Sequence, residues 1–149
     1  MGEVQEIRRK VFLDTNILLD LLMPIRGSKE AEYILSAVRK HYLEGYVTTQ
    51  SLLDAWYIAR KSGVTYEVFS GFVQELRKFI NFGEIDPMHL DWAFEHYSGD
   101  LEDDAQYASA YDACCDYFLT RDIQLQERNS ELCPMTVITP EEFLSQMLD

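Results

Sequence analysis

A three-layer α/β/α sandwich built on a central parallel sheet is the fold class this sequence predicts, on three observations. Short β-prone runs at residues 10–13, 46–49 and 117–120 alternate with longer segments of helical period, the order a parallel sheet requires because helices supply its crossovers. The chain has 149 residues, 47% of them hydrophobic, enough for one core that hides roughly 68–70% of the unfolded surface. Seven glycines and four prolines are too few for a linker-dominated chain, and three cysteines, two of them adjacent, give no disulfide framework. Residues 1–9 are expected to be an N-terminal extension and residues 10–149 a single domain.

The elements follow in order. Residues 10–13 form an apolar run ending at Asp14, Thr15 and Asn16, whose polar side chains can cap a helix expected from Ile17 to Met23 and stopped at Pro24. Gly27 and Ser28 start a second helix, with Ala31, Ile34, Leu35, Val38 and Tyr42 at helical spacing and Gly45 closing it. Residues 46–49 are β-prone and lead into a helix over residues 50–62, ended by Gly63. Between Tyr66 and Phe82 the set Phe69, Phe72, Val73, Leu76, Phe79 and Ile80 keeps helical period, so one helix is expected up to Gly83, before a brief segment at residues 84–86. Pro87 opens a helix through Tyr97, Ser98 and Gly99 make a turn, and the alanine-rich residues 104–116 form a helix leading into residues 117–120. Residues 135–138 are the last strand. Thr139, Pro140 and the glutamates after them supply an N-cap, a proline at the first helical position and a capping box for the terminal helix.

Charge restricts the partners. With 26 acidic and 13 basic side chains, the net charge of −13 opposes nucleic acid at long range. Attraction to nucleic acid would then rest on bound cations or on the local clusters Arg8-Arg9-Lys10, Arg60-Lys61 and Arg77-Lys78. No apolar run approaches the roughly 18 residues of a membrane span, and the opening residues lack the pattern of a secretory signal. The expected location is the cytoplasm, with no membrane partner, which agrees with the cysteine usage. Neither the cysteines nor His41, His89 and His96 show zinc-ligand spacing. Tyr57, Tyr66 and Trp92 are candidates for exposed aromatic surface.

Ligands of open parallel sheets bind beyond the carboxyl ends of the strands, and carboxylates stand at those positions here. Asp14 follows the first strand, Asp54 comes early in the helix after the second, Asp103 opens the helix before the fourth, and Asp122 lies just past it. Two carboxylates about 5 Å apart repel by about 3 kcal/mol at an effective dielectric of 20. Protons or a cation must relieve such a cluster. All-oxygen ligands select hard ions, so Mg²⁺ or Mn²⁺ is the expected cofactor, suited to phosphodiester hydrolysis. Asn16 and Thr120 would orient carboxylates or water by hydrogen bonds.

Residues 11–22 (VFLDTNILLDLL) resemble the opening motif of PIN-domain ribonucleases, residues 100–108 (DLEDDAQYA) their third acidic motif, and residues 116–122 (DYFLTRD) the fourth. Residues 137–144 (VITPEEFL) are similar to the family's final strand and helix. The resemblance spans about residues 10–145, and the motifs keep the family's order. It implies a PIN-like fold and metal-dependent endonucleolytic cleavage of RNA. Asp14, Asp103 and Asp122 take the acidic metal positions, with Glu102 as an alternative to Asp103. Where many members carry Glu in the helix after the second strand, the chain has Asp54, one methylene shorter, which would reach a metal through water. Many compact members are toxins that pair with an antitoxin protein and form homodimers, so the resemblance implies both partners beside RNA.

Two rivals remain. A catalytically weak or inactive PIN-like interaction module would fit Asp54 and the net charge. A haloacid-dehalogenase-type phosphatase also begins with Asp after a strand, but it needs a second Asp two residues later, where Asn16 stands.

Overall fold

The computed structural model describes residues 8–23, 28–130 and 133–148, the side chains of Ile123 and Leu148 apart. Pro24, Gly27 and most of the expected extension at residues 1–9 lie outside the described residues. In chain order the elements are β1 (Arg9–Leu13), α1 (Thr15–Leu22), α2 (Lys29–Arg39), β2 (Leu43–Thr48), α3 (Thr49–Lys61), α4 (Tyr66–Arg77), β3 (Ile80–Gly83), α5 (Pro87–Glu95), α6 (Leu101–Asp112), β4 (Tyr117–Leu119), α7 (Ile123–Gln126), β5 (Thr136–Ile138) and α8 (Pro140–Leu148). The strands form one sheet in the order β3-β2-β1-β4-β5, parallel throughout.

Strand β1 explains the three layers. Its side chains alternate between faces, and all three of its last residues are buried. Val11 and Leu13 join a core with Ile17, Leu18, Ile34, Val47 and Phe143. Phe12 joins a second core with Tyr46, Tyr107, Phe118 and Val137. The strand order reverses beside β1, which pairs with β2 on one side and β4 on the other. This is the switch point at which the loops leaving adjacent strands diverge and open a crevice. Asp14 leaves β1 there, and Thr120 and Asp122 follow β4.

Four local expectations need correction. The single helix expected over residues 66–82 is α4 followed by β3; Phe79, Ile80 and Phe82 extend the helical spacing of Phe72, Val73 and Leu76 by coincidence. Residues 84–86 connect β3 to α5. Gly83 ends the strand, not a helix: a Cβ there would lie 1.8 Å from Tyr46 Oη, so only glycine lets this tyrosine cross to Ser109 Oγ at 3.0 Å. Gly45 does not close α2. That helix ends at Arg39, His41 takes a positive φ of 65°, and Gly45 sits inside β2, where a Cβ would be 2.8 Å from Val38 Cγ1. Tyr42 accordingly lies off the apolar stripe and is 74% exposed.

Helix starts follow their caps. Asp14 caps α1, which begins at Thr15 rather than Ile17. Asp100 caps α6, which therefore begins at Leu101 instead of residue 104. The one-turn α7 has no counterpart in the sequence reading; Asp122 caps it by accepting from the Gln124 amide. Among the described residues no helix is long and apolar enough to cross a membrane, and Cys114, Cys115 and Cys133 are free thiols.

Candidate active site

Asp14, at the end of β1, is held from two sides. Its Oδ1 accepts from the Ile17 amide at 3.2 Å, and its Oδ2 accepts from Thr120 Oγ1 at 2.5 Å. Thr120 is itself fully buried, and its hydroxyl oxygen accepts the Asp122 amide at 3.0 Å. One threonine thus ties the residue after β1 to the residues after β4. Burial raises the Asp14 pKa, against the lowering effect of these hydrogen bonds.

Asp103 approaches from α6. Asp100 caps that helix by accepting the Asp103 amide at 3.0 Å, so the cap itself brings a further carboxylate into the group. Burial and a hydrogen-bond contact with Asp122, followed by the charges of Asp100 and Asp14, raise the Asp103 pKa to about 8. Asp14, Asp103 and Asp122 therefore line one cavity.

Asp54 belongs to the same crevice but pairs differently. Gln50 Nε2 donates to its Oδ1 at 3.1 Å. Its other oxygen is buried and receives no donor among the described residues. A hydrogen-bond contact with Asp54, with burial and the Asp54 charge behind it, pushes the Glu102 pKa up to about 8. Gln106 sits behind them, 3% exposed, with Oε1 accepting from Thr48 Oγ1 at 2.7 Å and its amide facing Glu102.

Two adjoining cavities result, of about 350 and 400 Å³. Asp14, Asn16, Asp100 and Asp103 line both; Asp54, Glu102 and Gln106 complete the first, and Arg121 and Asp122 the second. Among the described residues, six carboxylates and one guanidinium therefore line this space. The guanidinium is engaged elsewhere. Arg121 binds Asp20, donates to Glu141 Oε1 at 3.0 Å and to Ser28 Oγ at 3.0 Å. Burial works against its charge, but Glu141 and Asp20 outweigh that and raise its pKa.

The donor set fits a hard divalent cation. It is all oxygen, burial at Asp103 and the Asp54 contact at Glu102, with neighbouring charges behind them, raise both pKa values to about 8, and a buried Asp54 oxygen lacks a donor. Asp14, Asp103 and Asp122 could hold such an ion, with Asp54 and Glu102 beside them. The sequence reading did not single out Asp100, Gln106 or Arg121. For Asp100 the available signal was the Asp-x-x-Asp spacing of a cap with its N3 residue.

A separate group lies toward the other end of α6, where ligand atoms of Asp86, His89 and Asp112 fall within 4.8 Å of one another. Here the imidazole is already engaged at both nitrogens. His89 Nδ1 accepts the Asp86 amide at 3.0 Å, completing the capping box of α5, and Nε2 meets Asp112 Oδ2 at 3.0 Å. With Nδ1 accepting, Nε2 carries the proton and donates. The group is a helix cap fastened to the end of α6, and Asp112 stands about 14 Å along that helix from Asp103.

Comparison with known proteins agrees with this fold. A family model described as PIN domain matches residues 10–124. No curated protein matches the chain. Among solved structures, a toxin-antitoxin complex from Klebsiella pneumoniae contains a similar chain, with 21% identity, TM-score 0.61, 88% of this chain covered and 97% of that one. VapC20 of Mycobacterium tuberculosis, described as a sarcin-ricin loop cleaving toxin, is similar at 11% identity and TM-score 0.62, covering 83% and 99%. The VapBC2 complex of Rickettsia felis, bound to a DNA fragment from its promoter, contains a chain similar at 13% identity and TM-score 0.64, covering 87% and 98%.

Proposed function

The chain belongs to the PIN-domain family, and on that premise we propose that it is a divalent-metal-dependent endoribonuclease that hydrolyses RNA phosphodiester bonds, the toxin of a toxin-antitoxin pair. The observation that carries this reading is the crevice at the β1/β4 switch point, where, among the described residues, six carboxylates converge and the lining guanidinium, Arg121, is bound by Asp20 and Glu141.

A Mg²⁺ or Mn²⁺ ion held there would supply Lewis-acid stabilisation of the phosphodiester charge and lower the pKa of water. The chain's own residues set up the rest. Thr120 fixes the Asp14 rotamer through its 2.5 Å hydrogen bond, and the Ile17 amide fixes the other oxygen. Asp100 fastens the first turn of α6 so that Asp103 faces Asp122. Glu102 lines the cavity, and its contact with Asp54 together with burial raises its pKa to about 8, which would suit it to give a proton to a leaving oxygen. Asn16 lines both cavities and orients water or phosphate oxygen.

The partners proposed are RNA as substrate, an antitoxin protein and a second copy of the chain, acting in the cytoplasm. Similarity to chains of the Klebsiella and Rickettsia complexes and to the Mycobacterium toxin supports the toxin role. Incubation with single-stranded RNA and Mn²⁺ is expected to give cleavage that EDTA stops and that Asp14→Asn removes without loss of the folded state. Calorimetry is expected to show weaker Mn²⁺ binding by Asp122→Asn. Cleavage retained in Asp14→Asn contradicts the ligand role. Absence of Mn²⁺-dependent cleavage in the parent chain favours the inactive interaction module instead.

A further inference from the structure

The net charge of −13 makes any polyanion's approach to this crevice depend on where the few basic groups sit. Two of the three basic clusters are at the wrong end of the sheet. Arg9 and Lys10 begin β1, and Lys10 Nζ donates to the Ala113 carbonyl at 2.9 Å. Arg77 and Lys78 immediately precede β3, and Lys78 pairs with Glu75 at 3.0 Å. In a parallel sheet both positions lie at the amino ends of the strands, opposite the carboxylates. The remaining cluster, Arg60 and Lys61, shares α3 with Asp54. Neither residue is in an ion pair among the described residues, and both are exposed.

Between Asp54 and this cluster stands Tyr57, one helical turn on from the carboxylate. It lines the carboxylate cavity itself and is 52% exposed. Lys61 Nζ lies 3.9 Å from its ring centroid and the Arg60 guanidinium carbon 5.3 Å from it. Ile58, 40% exposed, completes the cavity wall beside it. An aromatic face next to two unpaired cations is the chemistry that holds single strands: the ring accepts an unpaired base of any identity, and the cations take backbone phosphates. Lys61 is about 10 Å along the helix from Asp54, so its charge falls on a phosphate flanking the one at the carboxylates. A duplex cannot use this surface, because its bases are already stacked.

We propose that Tyr57, Arg60 and Lys61 form a platform for the single-stranded RNA that flanks the scissile bond, with a base stacked on Tyr57 and neighbouring phosphates on the two cations. The assignment rests on the nuclease reading and adds to it a strand path and a preference for unpaired substrate. On binding, the base replaces Lys61 over the ring and the ammonium moves to its phosphate, so cover of the ring by Lys61 is the resting arrangement.

The test is fluorescence anisotropy with a labelled single-stranded oligoribonucleotide and Mn²⁺, using full-length protein in an Asp14→Asn background so that the RNA survives. Adding Tyr57→Ala is expected to weaken binding about tenfold, and Tyr57→Phe to restore it. Adding Arg60→Ser with Lys61→Ser is expected to weaken binding and to reduce the slope of log affinity against log salt by about 1.4. The same oligonucleotide annealed into a duplex is expected to bind less tightly. Circular dichroism melts and Mn²⁺ calorimetry should match the background in every variant, since these side chains are exposed and hold no metal. If all variants bind RNA as the background does, or if Tyr57→Phe is as weak as Tyr57→Ala, the platform is overturned while the nuclease reading stands. If the parent chain neither binds nor cleaves RNA, the nuclease reading falls and takes the platform with it.

Discussion

Asp103 and Asp104 are consecutive residues of α6, and the fold treats their carboxylates in opposite ways. Asp104 is fully buried, yet every demand of its charge is met: Ser98 donates from its amide at 2.8 Å and its hydroxyl at 2.6 Å, and Arg128 donates at 2.6 Å. Arg128 in turn lies over the Trp92 and Tyr107 rings, 4.8 and 5.4 Å from their centroids, and donates to the His96 carbonyl. One residue earlier, Asp103 is less buried and faces Asp14, Asp100 and Asp122. The contrast teaches that burial does not mark a functional carboxylate. What marks it is a lack of compensation that only a ligand can supply, whereas the Asp104–Arg128 pair closes a structural clasp between the α5–α6 turn and the segment after α7.

The largest effect expected from this contrast is on stability. Asp104→Ala leaves Arg128 buried without its partner and should cost about 3–5 kcal/mol, read as a lower urea midpoint; a loss under about 1 kcal/mol would show the clasp to be dispensable. Thr120→Val should come next. It removes the hydrogen bond that orients Asp14, and Mn²⁺ affinity measured by calorimetry should fall about 10–100-fold, with the fold retained.

A third expectation concerns pH. In the folded metal-free chain Asp103 and Glu102 keep protons to about pH 8, whereas in the unfolded chain they release them near pH 4. The folded state thus binds more protons within that window, so its stability falls as pH rises from about 4 to about 8. Urea midpoints in EDTA should show this fall, Mn²⁺ should reverse it at pH 8, and Asp103→Asn should flatten it. Midpoints that rise across the window would contradict the repulsion argument. The smallest effect belongs to the far end of α6: Asp112→Asn should leave Mn²⁺ affinity as it is, since His89 is engaged at both nitrogens. A measurable drop there would make the α5 cap a second metal site.

Read from the chain alone, the alternation of short apolar runs with helical segments already determined the layered parallel architecture. The reason is local: burial on both faces leaves continuous apolar strands such as Val11, Phe12 and Leu13, and amphipathic period marks the covering helices. The acidic positions were legible too, because a carboxylate after a strand is a local feature. Local signals failed where period was ambiguous. Ile80 and Phe82 fit a helix or a strand equally well, and pairing with β2 decided for the strand. Gly45 was read as a helix stop and proved to be a strand residue under Val38.

Tertiary structure alone decided which carboxylates meet. That Glu102 meets Asp54, that Asp100 joins the group through the cap of α6, and that Arg121 is engaged by Asp20 and Glu141 all depend on the tertiary packing of the elements. Electrostatic coupling falls with separation in space and is indifferent to separation in sequence. The composition therefore determined how many charges had to be accommodated, and the packing of α3 and α6 around the β1/β4 crevice decided which of them remained uncompensated.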